Sequence, residues 1–156
     1  MTVAAPTLLD RVHTAVASVC DPEFPNVTIS QLGILEDVSA SDDGRVVVEL
    51  VPTFLGCPAL DIIEADVRNA AESVTGVSDV EVRFMSDHVW TPDRILPEGR
   101  RNLAELTIAV RDDSHVALCP VCGSKHVVER SPFGPTACRA IAFCENCRNA
   151  VEVIRQ

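Results

Sequence analysis

Two closely spaced pairs of cysteines near the end of the chain constrain its fold more than any other feature. Cys119 and Cys122 lie in "CPVCG", and Cys144 and Cys147 lie in "CENC". Two thiolates three residues apart can face one cation across a tight turn, and Gly123 permits that turn to finish with positive φ. The interval of 21 residues between the two pairs is typical of two knuckles that close one tetrahedral site.

These four thiolates predict a separate zinc-ribbon-like β module over residues 115–156. Its strands are predicted from "KHVVER" and "RAIAF" between the pairs and from "AVEVI" after them. A module of about 40 residues buries too little apolar surface to be stable alone, and four Zn–S bonds would supply the missing stability. Zinc is the expected ion. Iron, as a single ion or a cluster, is the metal that competes with zinc. A further alternative is that the four thiols bind no metal and act as redox pairs.

A fifth cysteine of this region, Cys138, fits neither pair. It follows "SPFGPTA", in which three residues favour turns and two prolines stiffen the backbone. A loop constrained in this way is expected to present something to another molecule. The competing interpretation is that Cys138 is a small buried apolar residue, as most free cysteines are.

The rest of the chain predicts a small α+β domain over residues 1–109, with elements in the order α-β-β-α-β-α. The first helix covers residues 7–19, with Thr7 as its cap and Asp10 three residues later, and "DPEFPNV" ends it. The "VRDDSHVAL" segment is expected to be a polar joint between this domain and the tail. The other elements expected are strands at 34–39, 45–51 and 77–84, a helix at 57–74 and a short helix within 95–106.

The charge of the chain is unevenly distributed. The formal net charge is −10, of which residues 1–114 carry −12 and residues 115–156 carry +2. An acidic body disfavours binding to nucleic acid, because that affinity comes largely from neutralising phosphates. We expect no signal peptide and no membrane span. The odd count of seven cysteines argues against a disulfide framework and predicts a cytoplasmic protein.

Cys57 is the second candidate for chemistry outside the paired cysteines. It precedes Pro58 in "PTFLGCPAL", so the sequence predicts that Cys57 lies at or near the N-cap of the second helix. The helix dipole and the free N–H groups there would lower a thiol pKa, which makes Cys57 a plausible nucleophile or soft-metal ligand. The alternative is a buried cap residue. Cys20 is expected to be a core residue at the end of the first apolar stripe.

Motifs for self-contained catalysis do not stand out. We find no Ser/His/Asp order, no glycine-rich phosphate loop and no paired catalytic carboxylates. This pattern argues against an enzyme with its own turnover.

Together these segments resemble a known family. "CDPEFPNVTISQLGILEDV" and "PTFLGCPALDIIEADV" resemble the SufT-type iron–sulfur assembly domain, and "CPVCGS" with "SPFGPTACRAIAFCENC" is similar to the tail of PaaD proteins. The resemblance implies an accessory factor for iron or iron–sulfur insertion into a phenylacetyl-CoA epoxidase system. It matches the family's Asp-Pro-Glu turn to Asp21, Pro22 and Glu23, its Thr and Cys to Thr53 and Cys57, and its tail cysteines to Cys119, Cys122, Cys138, Cys144 and Cys147.

The resemblance also implies partners. These are the epoxidase components, above all an iron–sulfur flavoprotein reductase, and the iron–sulfur assembly machinery, with a homodimer as one possible state. Because the paired cysteines would form a closed site, Cys57 and Cys138 are expected to act in one transfer route for iron or a cluster. Two other classes of protein compete with an assembly factor: a structural or electron-transfer subunit of the oxygenase, and a zinc-ribbon module that binds nucleic acid.

Overall fold

A computed structural model of the chain describes residues 5–112 and 114–155 and divides them into two compact units. The first unit holds residues 5–52 and 58–89, and the second holds residues 53–57 and 90–155. The sequence predicts two domains that fold independently, residues 1–109 and 115–156, and these domain bounds stay a prediction. Among the described residues, no helix combines the length and the apolar character needed to cross a membrane.

The first unit opens with α1, Leu8–Ala17, which begins where the sequence predicts. Thr7 and Asp10 form a capping box, in which each side chain accepts a hydrogen bond from the other residue's backbone N–H. This satisfies two of the N–H groups that the first turn of a helix leaves unpaired. The "DPEFPNV" segment does more than end the helix. It forms a small antiparallel pair of β1, Cys20–Asp21, and β2, Phe24–Thr28, which the sequence did not predict.

A three-stranded sheet is the scaffold of the first unit. Its strands are β3 (Leu35–Ala40), β4 (Arg45–Leu50) and β5 (Asp79–Phe84), in that spatial order. β3 and β4 pair antiparallel, while β4 and β5 pair in parallel. Parallel neighbours need a crossover, and α2 (Leu60–Glu72) supplies it. α1 packs against α2 and β3, and α2 packs against β5.

The core of the first unit follows from the periodicity of its sequence. Alternate residues of β4 are buried, and the buried positions of each helix are spaced by four residues. These buried side chains include Val46, Val48 and Leu50 of β4, Val12 and Val16 of α1, and Ile63, Val67 and Ala71 of α2.

The second unit contains the cysteine-rich tail. A short 3-10 helix, Pro92–Arg94, precedes α3, Pro97–Glu105. Four strands then form one sheet in the order β6-β9-β8-β7. Their bounds are Ile108–Ala109 for β6, Val127–Ser131 for β7, Arg139–Cys144 for β8 and Ala150–Ile154 for β9. The α+β fold class with a C-terminal β module is therefore confirmed.

The segment expected to be a polar joint, residues 110–118, directly follows β6. Ile108 of β6 pairs in parallel with Glu152 of β9, and within the expected joint Arg111 forms an isolated antiparallel bridge with Ala117. The guanidinium of Arg100, in α3, donates to the carbonyl oxygens of Pro92 and Arg111. These contacts tie residues 92–111 into the second unit.

Candidate metal centre

The structure brings the four paired cysteines together. Their Sγ atoms all lie within 4.8 Å of one another. The Sγ atoms of Cys119 and Cys147 are 3.7 Å apart, and those of Cys122 and Cys144 are also 3.7 Å apart. Each of these short distances joins one pair to the other. The two knuckles therefore face a common point.

Backbone geometry gives the two knuckles the same turn. The N–H of Gly123 donates to the carbonyl of Cys119, and the N–H of Arg148 donates to the carbonyl of Cys144, both at 2.8 Å. Gly123 has φ 72° and Arg148 has φ 63°. The first knuckle thus places glycine in the left-handed region, as predicted, whereas the second places an arginine there.

The surroundings of the four thiols are unequal. Cys119 and Cys144 are buried in a small core of alanine and valine side chains, while Cys122 is exposed and Cys147 is half-buried. Burial raises the pKa of the Cys119 thiol to about 11. The other buried members of this core are Ala109, Ala117, Ala142, Val151 and Val153. So small a core supports the prediction that this module needs a metal for stability.

Two asparagines beside the second pair donate to sulfur. The amide Nδ2 of Asn149 lies 3.4 Å from the Sγ of Cys147, and that of Asn146 lies 3.5 Å from the Sγ of Cys122. The side-chain amide and backbone N–H of Asn149 lower the pKa of Cys147 to about 6, and the amide of Asn146 lowers the pKa of Cys122. Both asparagines stand within "CENCRN", but the spacing of metal ligands, on which the sequence prediction rests, gives no signal for them.

The donor set fits a tetrahedral thiolate-bound ion. Four M–S bonds of 2.3 Å place neighbouring sulfurs about 3.8 Å apart, close to the two 3.7 Å separations observed here. All four donors are sulfur, so the site would leave no position for a substrate or a water. Cys119, Cys122, Cys144 and Cys147 would hold such an ion, which would supply cross-linking rather than catalysis.

Cys57 is not at the start of a helix. α2 begins at Leu60, with Ala59 as its N-cap, so the prediction of a helix from residue 57 is wrong. The reason is that residues 54–57 close a separate turn, in which the N–H of Cys57 donates to the carbonyl of Phe54 at 3.2 Å. The macrodipole argument therefore loses its basis, because that effect falls off within the first helical turn. Cys57 is nevertheless half-exposed, as a transfer thiol requires.

The loop before Cys138 does not present that thiol. Cys138 is only 7% exposed, and its Sγ lies 3.2 Å from the hydroxyl of Thr136. The signal for this burial was available, since positions 138, 140, 142 and 144 alternate with less buried residues along β8. Cys138 thus lies on the same face of the sheet as Cys144, with two alanines between them.

The remaining residues matched by the resemblance lie in two local groups. Asp21 is buried, and its Oδ1 accepts from the N–H of Glu23 at 2.8 Å. Thr53 and Cys57 lie in one short segment, residues 53–57, of the second unit. Cys138 belongs to the same unit. Cys20 was expected in the core, but it follows α1 in β1 and is partly exposed, so that prediction is wrong.

Comparison with known proteins identifies both parts of the chain. Residues 105–155 match the PaaD zinc beta ribbon domain, and residues 9–84 match the iron–sulfur cluster assembly protein family. A protein of Escherichia coli (strain K12), named as a putative subunit of 1,2-phenylacetyl-CoA epoxidase, is 32% identical over 158 residues. That similarity covers 97% of this chain and 94% of the relative. The chain belongs to the PaaD family.

Relatives of the N-terminal domain alone agree with this assignment. The Fe-S protein maturation auxiliary factor of Porphyromonas gingivalis is 37% identical over 57% of this chain and 84% of its own length. A crystal structure of a domain of unknown function from Bacillus anthracis has a TM-score of 0.57 at 27% identity, covering 62% of this chain and 91% of that one. PaaD proteins thus join an iron–sulfur assembly domain to a zinc ribbon, and the name of the Porphyromonas gingivalis relative, with the family match of residues 9–84, supports an assembly factor without its own turnover.

Proposed function

We propose that this chain is an accessory factor that helps assemble an iron–sulfur or iron centre in a phenylacetyl-CoA epoxidase system of phenylacetate catabolism. Two similarities support the proposal: the full-length relative named as an epoxidase subunit, and the match of residues 9–84 to iron–sulfur assembly proteins. Its clients are the epoxidase components, above all the iron–sulfur flavoprotein reductase, and it works in the cytoplasm with the iron–sulfur assembly machinery.

The observation that carries the proposal is the division of the thiols into two sets. Four cysteines converge on one closed site, which suits a structural zinc, with iron as the competing ion. Cys57 lies outside that site and is half-exposed. A cargo that must be released needs ligands that are accessible and few, so Cys57 is the thiolate that binds iron or a cluster transiently.

The same proposal assigns roles to the other residues of the two local groups. Cys138 is the second thiolate of the transfer route, either within one chain or across a homodimer. Its burial means that it takes part only when the end of its hairpin opens. Asp21, Glu23 and Thr53, which the resemblance matches to the family's site, supply polar groups to the transfer of iron.

The test is anaerobic cluster loading of Cys57→Ser, Cys138→Ser and the double variant, each checked for an intact tail metal. Cys20→Ser is the matched control, because Cys20 is also a partly exposed thiol but lies in β1. We expect Cys57→Ser to abolish loading and transfer to the reductase while the free energy of unfolding stays unchanged. Equal loss in Cys138→Ser and the double variant supports one shared route.

Two results would contradict parts of this proposal. If Cys57→Ser loads and activates the client like the unaltered protein, Cys57 has no transfer role. If only Cys138→Ser retains full loading, Cys138 is a packing residue and Cys57 acts without it.

A second candidate is a structural or electron-transfer subunit of the oxygenase, which the name of the Escherichia coli relative favours. That function needs a permanent redox centre. A stable coloured cluster with a reversible potential, retained when the client is already mature, would favour it over an assembly factor.

A further inference from the structure

Phe133 has the most exposed ring among the described phenylalanine and tryptophan residues, at 75% exposure. It lies in the loop of residues 132–138, which joins β7 to β8 and was expected from its sequence to present something to another molecule. Pro132 and Pro135, on either side of Phe133 in the sequence, are also exposed. The loop therefore presents an aromatic ring and buries the neighbouring thiol of Cys138.

Hydrogen bonds hold this loop in one conformation. The hydroxyl of Ser131 accepts from the N–H of Phe133 and donates to its carbonyl, at 3.1 and 3.0 Å. The N–H of Gly134 donates to the carbonyl of Arg139 at 2.9 Å, and the N–H of Arg139 donates to the carbonyl of Thr136 at 3.2 Å. A loop whose backbone is already ordered loses less conformational entropy on binding, which is the physical advantage of a preorganised contact.

A positive charge accompanies the ring. The guanidinium of Arg155 lies 5.9 Å from the centroid of the Phe133 ring and donates to the carbonyl of Ala137 at 3.1 Å. It has further N–H groups with which it can bind a carboxylate. The tail as a whole carries +2, so its field also favours an acidic surface.

We propose that Phe133 is the anchor by which this chain docks on a client protein, inserting into an apolar pocket that is rimmed by carboxylates. Phe133 would be the docking surface through which the proposed assembly function reaches its client, so the inference rests on that proposed function. Exposed aromatic side chains that fill a pocket, with an arginine at the rim, are the usual centres of binding energy in protein interfaces.

A second copy of the chain is a poorer fit for this ring. The pocket of about 380 Å³ in the second unit is largely apolar, but Arg100 and Arg101 line its wall together with a single carboxylate, Asp112. The two cations outnumber that carboxylate, so the wall would repel the guanidinium of Arg155. The carboxylates that would pair with Arg155 are therefore expected on a different protein.

The experiment measures binding of the intact chain to each purified epoxidase component, with the iron–sulfur flavoprotein reductase as the first arm. We expect Phe133→Ala to raise the Kd by about 30-fold, and Phe133→Leu to raise it less because an apolar side chain is kept. Val128→Ala is the matched control, since Val128 is an exposed apolar residue of β7, and it should change the Kd by less than about twofold. Arg155→Gln should slow association and weaken its salt dependence.

Folding and self-association are measured on the same variants. Phe133→Ala should keep the tail metal and the thermal midpoint, because the ring makes few contacts in the free chain. The proposal is overturned if Phe133→Ala binds like the unaltered chain, if no component binds the unaltered chain, or if Phe133 instead supports a dimer in sedimentation. Cluster transfer separates the two proposals: transfer without any dependence on Phe133 refutes docking alone, whereas Phe133-dependent binding without transfer refutes the assembly function alone.

Discussion

The sulfur atoms of Cys119 and Cys147 lie 3.7 Å apart, although the two residues are 28 positions apart along the chain. The same distance joins Cys122 to Cys144. Both contacts run between the knuckles, so an ion at this point would close the β7–β8 hairpin into a cross-linked loop. Such a cross-link stabilises a small module because its binding free energy is folding free energy.

Cys122→Ser tests this role without disturbing the core. Cys122 is exposed, so its replacement removes a ligand but no buried packing, in contrast to Cys144→Ser. We expect the metal content to fall from roughly one ion per chain to near zero and the tail to unfold. Metal analysis and limited proteolysis would measure this, and Cys20→Ser should leave both results unchanged. A Cys122→Ser variant that keeps its metal and a folded tail would show that the four thiols are not a structural site.

The left-handed residues of the two knuckles predict opposite effects on stability. Gly123→Ala should lower the free energy of unfolding of the metal-bound tail by about 1–2 kcal/mol, through the backbone alone. Nothing lies within 4 Å of the position that its Cβ would take. Arg148→Gly should raise the free energy of unfolding of the metal-bound tail by up to about 1 kcal/mol, because glycine adopts φ 63° without strain. Denaturant unfolding measures both, and the same sign for the two variants would contradict the equivalence of the turns.

Gly134 is expected to be required by the loop that carries Phe133. A Cβ at this position would lie 2.7 Å from the carbonyl oxygen of Arg139, so Gly134→Ala must displace backbone and should cost about 1–3 kcal/mol. Gly56→Ala is the control. Its Cβ would meet only the ring of Phe54, an exposed side chain that can rotate away. Equal thermal midpoints for the two variants would show that the loop is not held as the structure describes.

Asn149→Ala should weaken metal binding by about 10- to 100-fold, because it removes the amide that donates to the sulfur of Cys147. Competition with a chromophoric chelator measures the affinity. Glu145→Gln is the control, since it changes a charge within the same knuckle without removing an N–H to sulfur. The prediction fails if both variants bind the metal as tightly as the unaltered chain.

Local sequence patterns were enough to predict much of this protein. The spacing of Cys119, Cys122, Cys144 and Cys147 predicted one metal centre, because a tight turn between two thiols leaves few other arrangements. The Thr7 cap, the β3–β4 hairpin and the body of the second helix, though not its start, also followed from short-range signals, in which the residues that determine the structure are neighbours in the chain. The resemblance of "CDPEFP" to SufT-type assembly domains and of "SPFGPTAC" to the tail of PaaD proteins then extended the prediction to function.

Tertiary structure alone decided where the remaining groups lie. The parallel pairing of Ile108 with Glu152 brought the residues just before the expected joint into the sheet of the tail, and a pairing between residues so far apart leaves no local pattern. A separate turn moved Cys57 off the helix start. The face of β8 buries Cys138, while the loop before it exposes Phe133. Each of these outcomes depends on which distant segment of the chain packs over a residue. The sequence around that residue does not specify this packing.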